Sequence, residues 1–325
     1  MRLPIVCIVA VVVAALAGGG CGTPSFLITP VSHSQKLREM QVSGGRNSDK
    51  IAVIEIEGVL VNARTGGFLQ PTENKLSLFK EQLEAAAGDR RVKAVVLRVN
   101  SPGGTVTASD TMYELLQRFR ARTKKPVIAS LQEVAASGGY YVACASDQIM
   151  ASPTSVVGSI GVIFNTFDAS RGMDKLGLRA ESIKSGPLKD MGSPFKALSP
   201  DERAVMQGMV DEYYARFVAV VNRHRTLPDA DKARMATDGR VFSGQQALAM
   251  GLVDRVGLLE DAIKLARRAG NAPGARAIMY RRPYGYSGSI YASAPAPTPQ
   301  ANVTQLSLPG ADSFLPSGFY YMWQP

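Results

Sequence analysis

Apolar runs of strand character alternate with stretches of helical periodicity, and this alternation limits the fold more than any other feature. Ile51 to Ile56 reads as a strand that ends at Gly58. Val92 to Val99 reads as a second strand, and Pro126 to Leu131 as a third, buried one. Between them, Glu73 to Ala87 sets Leu76, Phe79 and Leu83 on one helical face. In the next interval Met112, Leu115, Leu116 and Phe119 recur at i, i+3, i+4 and i+7. Strand–helix–strand units imply a mostly parallel sheet, so an α/β fold is expected, with the site on loops at strand ends.

Further along, Asp147 to Ala151 and Ser159 to Phe164 read as strands, and a short helix carries Met173 and Leu176. Arg179 to Ile183 is expected to be a strand that delivers a polar loop, Lys184 to Pro194. Ser199-Pro200-Asp201-Glu202 is a capping box with proline at the first helical position. It opens a helix to about Arg225, with Val210, Tyr213, Phe217 and Val221 facing inward. Asp238 to Gly257 and a last helix to about Ala269 complete a domain expected over residues 49–270.

The ends differ in character. Arg2, the apolar run Leu3 to Ala17 and Gly18-Gly19-Gly20-Cys21 describe an export signal over residues 1–21. A cysteine after small residues resembles the bacterial lipoprotein signal, which makes Cys21 a candidate lipidation site. An uncleaved anchor is the alternative, although the apolar run is short for a span. Either way the chain is expected in a bacterial cell envelope, membrane-anchored, with its bulk on the extracytoplasmic side. Residues 22–48 read as a polar tether, and 271–325 as a tail with the extended stretch Ala294-Pro295-Ala296-Pro297-Thr298-Pro299. The apolar end, Phe319 to Trp323, is expected to dock on the domain as a strand; lying in the substrate groove is the alternative.

Composition excludes some functions. The net charge of +10 is scattered and no nucleic-acid motif is present, so no nucleic-acid partner is expected. Of three cysteines, Cys7 and Cys21 belong to the export signal, so a disulfide framework is excluded. Cys144 reads as a small core residue. No metal or other cofactor is expected.

The candidate nucleophile is Ser137, in Val134-Ala135-Ala136-Ser137-Gly138-Gly139-Tyr140-Tyr141. A serine between a strand and an apolar helix, with glycines behind it, can present its hydroxyl where backbone N–H groups favour negative charge. The competing reading makes Ser137 an N-cap and the glycines turn joints. A nucleophilic serine needs a base, and histidine is scarce: His33 lies in the tether, and His224 is expected to be solvated at a helix end. A neutral lysine can take that role. Lys184 and Lys189 are the candidates, and residue chemistry alone does not choose between them.

Four motifs, taken in order, resemble the bacterial signal peptide peptidase A family. They are Asn100-Ser101-Pro102-Gly103-Gly104, Ala136-Ser137-Gly138-Gly139-Tyr140, Val157-Gly158-Ser159-Ile160-Gly161-Val162 and Ser185-Gly186-Pro187-Leu188-Lys189-Asp190. Asp238 to Gly244 and Gly251-Leu252-Val253-Asp254 match as well. The resemblance covers roughly residues 50 to 269, as a single-copy short form. It implies a Clp-protease/crotonase-like fold of repeated ββα units and peptide-bond cleavage by a Ser-Lys dyad. On it, Ser137 matches the nucleophile, Lys189 the general base and Ser159 the serine that orients the lysine. The N–H of Gly138 and one from Gly103 or Gly104 would form the oxyanion hole. Lys184 is then a solvated bystander. The single copy implies a homo-oligomer whose dyad is shared between subunits, and apolar peptides, notably remnant signal peptides, as substrates.

Three other readings share these residues. A crotonase-like acyl-CoA enzyme would use the same glycine loops, but the export signal and Lys189 argue against it. A lipoprotein scaffold with a dead site is opposed by the intact Ser137 and Lys189. A broader envelope protein-quality-control protease would use the same dyad.

Overall fold

The computed structural model describes residues 36–45, 47–63, 73–282 and 318–324. In chain order the elements are β1 (Arg38–Ser43), β2 (Lys50–Glu57), α1 (Lys75–Gly88), β3 (Val92–Ser101), β4 (Gly103–Thr105), α2 (Val106–Thr123), β5 (Val127–Ala136) and α3 (Gly138–Ala143). They continue with β6 (Gln148–Ala151), β7 (Val156–Gly158), β8 (Ile163–Asn165), α4 (Ser170–Lys175), α5 (Pro200–His224) and α6 (Ala230–Ala236). The last are β9 (Val241–Ser243), α7 (Gly244–Ala249), β10 (Arg255–Val256), α8 (Leu259–Ala269), β11 (Arg276–Arg281) and β12 (Gly318–Met322).

Side chains alternate across a strand, so a strand covered on both faces must be apolar at every position. In β2, Ile51 and Val53 pack with Leu259, Ile263 and Ala266 of α8, while Ala52, Ile54 and Ile56 join a second, larger core. That core includes Phe79 of α1, Leu116 of α2, Tyr141 of α3 and Phe217 of α5. Strand β3 splits in the same way, Ala94 and Val96 to one side and Val95, Leu97 and Val99 to the other. The strands run β1-β11-β2-β3-β5-β6-β10, with β7 on β5 and β9 on β7. All pairings from β11 to β10 are parallel; β1 on β11 and β9 on β7 are antiparallel. The expected α/β, mostly parallel architecture is therefore the one observed.

The sheet reaches past residues 49–270 on both sides. Strand β1 comes from the stretch read as tether and β11 from the stretch read as tail, and β11 lies between β1 and β2. Fully buried Lys50 pins this edge: its Nζ donates to Asp89 at 2.7 Å and to Glu39 of β1.

Two expected strands differ. Ser159 to Phe164 is not one strand; β7 stops at Gly158 and β8 begins at Ile163. Ser159 has φ 50°, in the left-handed region, which ends the extended run. Arg179 to Ile183 is irregular, with Leu178 54% and Ile183 102% exposed. Among the described residues no strand pairs with it, so its pattern has nothing to pair with there.

A second sheet of three strands, β4-β12-β8, has β12 in the middle and antiparallel to both neighbours.

Candidate active site

Strand β5 carries the site. Its first half pairs with β6, and Val134 to Ala136 then pair with β7. The Asn100 side chain accepts from Val134 N at 3.1 Å and ties the end of β3 to this second half. The chain then turns sharply into α3. Ser137 has φ 51° and ψ −118°, held by its own N–H donating to Gly158 O (2.7 Å) and by its carbonyl accepting from Tyr141 N (2.8 Å). Such a conformation costs a non-glycine residue about 1–3 kcal/mol and persists where its surroundings enforce it. Ser137 occupies the N-cap position, yet its side chain makes no capping bond. The hydroxyl is buried and has no hydrogen-bond partner among the described residues. The turn reading requires a capping oxygen and so does not describe this residue.

The glycine loops converge on the same place. Gly103 has φ +105°, and a Cβ built on it would stand 2.8 Å from Gly138 N. The Gly103 N–H donates to Ser101 Oγ at 3.1 Å, and Ser101 Oγ donates to Gly58 O at 2.6 Å. Leu60 takes the Gly103 carbonyl (2.8 Å) and the Thr105 N–H (2.9 Å). These bonds turn the Gly104 N–H and C=O to the opposite side, toward β12. Of the three glycines that the resemblance implies for an oxyanion hole, Gly103 has its N–H held by Ser101 Oγ.

Ser159 lies on the next loop, with its N–H donating to Arg240 O at 2.8 Å. Among the described non-glycine residues, positive φ occurs at Lys124, Ser137, Ser159 and Asn271, so both candidate serines share the trait. A cavity of about 490 Å³ opens beside Ser159, lined also by Gly161, Val162, Asp211, Tyr214 and Met322 and by no basic side chain.

The lysines lie elsewhere. Lys189 is exposed on the turn over residues 187–192, and it does not reach Ser137 Oγ. Lys184 is exposed, and its Nζ donates to both Asp190 oxygens at 2.8 and 2.9 Å. Lys196 donates to the same carboxylate at 2.7 Å. Together the two ammonium groups hold the Asp190 carboxyl down at about 2. His224 also departs from expectation. It is half-buried, with Nε2 2.8 Å from Tyr113 Oη and 2.9 Å from Gln117 Nε2. Burial, followed by Arg120, Arg223 and Arg225, lowers its pKa. Cys144 is a fully buried core thiol, pushed up to about 12 chiefly by burial. His33 and Cys21 lie outside the described residues. Among the described residues no helix is long and apolar enough to cross a membrane, and no cluster of His, Cys, Asp or Glu could hold a metal ion.

Sequence reasoning missed an aromatic wall beside the cleft. Tyr141 meets Tyr113 (5.2 Å between ring centroids), Phe217 (5.0 Å) and Tyr321 (5.1 Å). The Tyr141 hydroxyl donates to Asp110 at 2.6 Å, and Arg216 clamps that carboxylate at 2.8 and 3.0 Å. Burial, with Asp110 beside it, pushes the Tyr141 phenol up. The pair Tyr140-Tyr141 behind the serine was the available signal. Tyr140 instead points away and donates to Leu252 O at 2.6 Å.

The sequence is similar to those of known proteins. The model of Peptidase family S49 matches residues 120–272, and that of Clp protease matches residues 49–157. An Enterococcus faecium protein that carries the name signal peptide peptidase SppA is 34% identical over 248 residues, 76% of this chain and 72% of that one. Protease 4 of Salmonella typhi is 40% identical over 57% of this chain, which spans 29% of that protein's length. The chloroplastic serine protease SPPA of Arabidopsis thaliana is 34% identical over 71% of this chain and 34% of its own.

Proposed function

We propose, from the premise that this chain belongs to peptidase family S49 and is a serine-type peptidase, that it hydrolyses apolar peptides through Ser137 and Lys189. The single observation that carries the reading is the Ser137 hydroxyl: strained, buried, without a partner among the described residues, and beside a cleft that only glycines can line. Neutral Lys189 takes the hydroxyl proton, and Oγ bonds to the peptide carbonyl carbon. The N–H groups of Gly138 and Gly104 receive the oxyanion. As the C–N bond breaks, the lysine returns its proton to the leaving amine; water then releases the acyl group by the same route.

Lys189 comes from a neighbouring copy in this reading. A lysine acts as a base only when neutral, which burial favours. On its own chain Lys189 is exposed, and its segment leaves Phe167, Leu176, Leu178, Ile183 and Phe195 uncovered. Packing those side chains against a second copy would bury them, and the cavity beside Ser159 has room for an incoming amine. An N-terminal anchor at Cys21 would hold the domain on the extracytoplasmic side, against the membrane in which remnant signal peptides lie.

The test is turnover of an apolar fluorogenic peptide by the wild type, Ser137→Ala and Lys189→Ala. Loss of activity in both variants is expected. Equal activity in all three would remove the dyad.

A further inference from the structure

We propose that Lys75 is a positioning residue for the peptidase reaction. Its ammonium group grips the turn that leaves β2, and that turn holds the glycine strand β4 against Gly138. Loss of the grip slows the bond-breaking step and leaves substrate affinity in place. This rests on the serine-peptidase reading above, which gives Lys75 no part.

Lys75 opens α1, where it does nothing for the helix. The first turn holds no acidic residue, and the positive end of the helix dipole disfavours an ammonium group there. The helix is already capped by Asn74, whose side chain accepts from Ser77 N at 3.1 Å, and it is anchored in the core by Phe79 and Leu83. Lys75 is half-buried, and burial holds its pKa below the usual lysine value, against the opposing pull of Glu57. Two main-chain acceptors take the ammonium group: Glu57 O at 2.8 Å and Val59 O at 3.2 Å. Gly58, between them, has φ +61°, and a Cβ built on it would stand 2.8 Å from Nζ, so glycine makes the room. The Asn74 amide donates to Asn62 Oδ1 at 2.9 Å. The start of α1 thus holds this segment on both sides of Leu60.

The turn passes the grip on to the cleft. Leu60 N donates to Gly103 O at 2.8 Å, and Thr105 N donates to Leu60 O at 2.9 Å. Gly58 O accepts from Ser101 Oγ at 2.6 Å, and the same oxygen accepts from Gly103 N at 3.1 Å. The main chain of residues 58–60 therefore fixes β4 at both ends. The approach leaves no slack: a Cβ built on Gly104 would stand 2.0 Å from Leu60 O, and one built on Gly138 3.2 Å from Gly103 Cα. Without the ammonium group, Glu57 O and Val59 O lose the donor that ties them to α1, and the turn can shift. A shift of tenths of an ångström in the glycine strand moves the N–H groups that the peptidase reading aims at the oxyanion, which matters most in the transition state. The charge of Lys75 is thus used for position, not for proton transfer.

The test compares hydrolysis of an apolar fluorogenic peptide by the full-length wild type, Ser137→Ala, Lys75→Met and Lys80→Met, the last an exposed lysine on the same helix. Lys75→Met should lower kcat at least about tenfold, by the same factor across the pH range, with KM within about threefold of wild type. Lys80→Met should leave both unchanged. Lys75→Cys treated with 2-bromoethylamine regains an ammonium group at nearly the native length. With the modification verified by mass spectrometry, it should recover most of the kcat of wild type treated alike. A Lys75→Met kcat within about threefold of wild type, a loss carried by KM, a displaced pH profile or no recovery after aminoethylation overturns the positioning role. If Lys75→Met does not fold, Gly58→Ala decides: its methyl crowds Nζ from the side of the turn and should lower kcat in the same way with KM unaltered. A wild type that does not cleave the peptide, or a Ser137→Ala as active as wild type, removes the peptidase reading and the role of Lys75 with it. An inactive Ser137→Ala beside an unimpaired Lys75→Met sinks the role of Lys75 alone.

Discussion

Gly138→Ala should separate folding from catalysis. Gly138 is the first residue of α3 and its φ is not in the left-handed region, so alanine suits the backbone and gains up to about 1 kcal/mol of helix propensity. The new methyl would stand 2.3 Å from Ser109 Oγ, 3.0 Å from the Tyr321 carbonyl oxygen and 3.2 Å from Gly103 Cα. Ser109 can rotate away, giving up its 3.0 Å bond to Thr105 O at about 1 kcal/mol. Stability should therefore change by about 1 kcal/mol or less. The cleft cannot yield in that way, because its other wall is backbone. A bound carbonyl must shift by tenths of an ångström from its donors, and kcat should fall on the order of a hundredfold with KM little altered. Urea unfolding and steady-state peptide hydrolysis read the two effects. The double variant with Ser109→Ala should recover stability and leave the rate low. A rate that recovers along with stability, or a single variant within about threefold of wild type, would refute the reasoning.

Ser137→Gly should abolish hydrolysis yet raise stability by about 1 kcal/mol, because glycine relieves the positive φ; thermal unfolding that shows a loss contradicts the strain assignment. Phe217→Ala removes a fully buried ring between Tyr141 and Tyr321 and should cost about 3–5 kcal/mol in urea unfolding, with a cost under about 1 kcal/mol counting against the packing described. The fold lowers the His224 pKa, chiefly by burial, so the unfolded chain binds the extra proton more readily. Stability is then present above the unfolded pKa and lost as pH falls through that value toward the lowered folded one. Unfolding midpoints taken from pH 7.5 to 5.5 should show this decline in the wild type and a shallower one in His224→Gln, and identical slopes would contradict it.

The sheet was legible because its central strands hold short unbroken apolar runs, Ile51 to Ile54 and Ala94 to Leu97, and only a sheet covered on both faces demands that. The Ser199 capping box was legible because its bonds are local: Ser199 Oγ accepts from Glu202 N at 3.2 Å, and Glu202 accepts from Ser199 N at 3.0 Å. Ser137 stood out by its glycine neighbours, but its strain and missing partner depend on Gly158 and on β7, beyond any local pattern. Arg179 to Ile183 has strand composition and no strand, since pairing is decided by neighbours. Strand β1, REMQVS, shows no clear alternation, and only its partner β11 makes it a strand. The apolar end, Phe319 to Trp323, is expected from sequence to dock as a strand, and Gly318–Met322 forms one. That it crosses the glycine cleft follows from contacts more than a hundred residues apart in sequence, such as Tyr321 with Tyr213.

Mixing two inactive variants tests the shared dyad most directly. Ser137→Ala keeps Lys189, and Lys189→Ala keeps Ser137. If serine and lysine meet across a contact between copies, co-refolded mixtures should regain activity, about a quarter of the wild-type sites at equal proportions. Mixtures shown by native mass spectrometry to contain both variants in one assembly, and still inactive, would contradict the account.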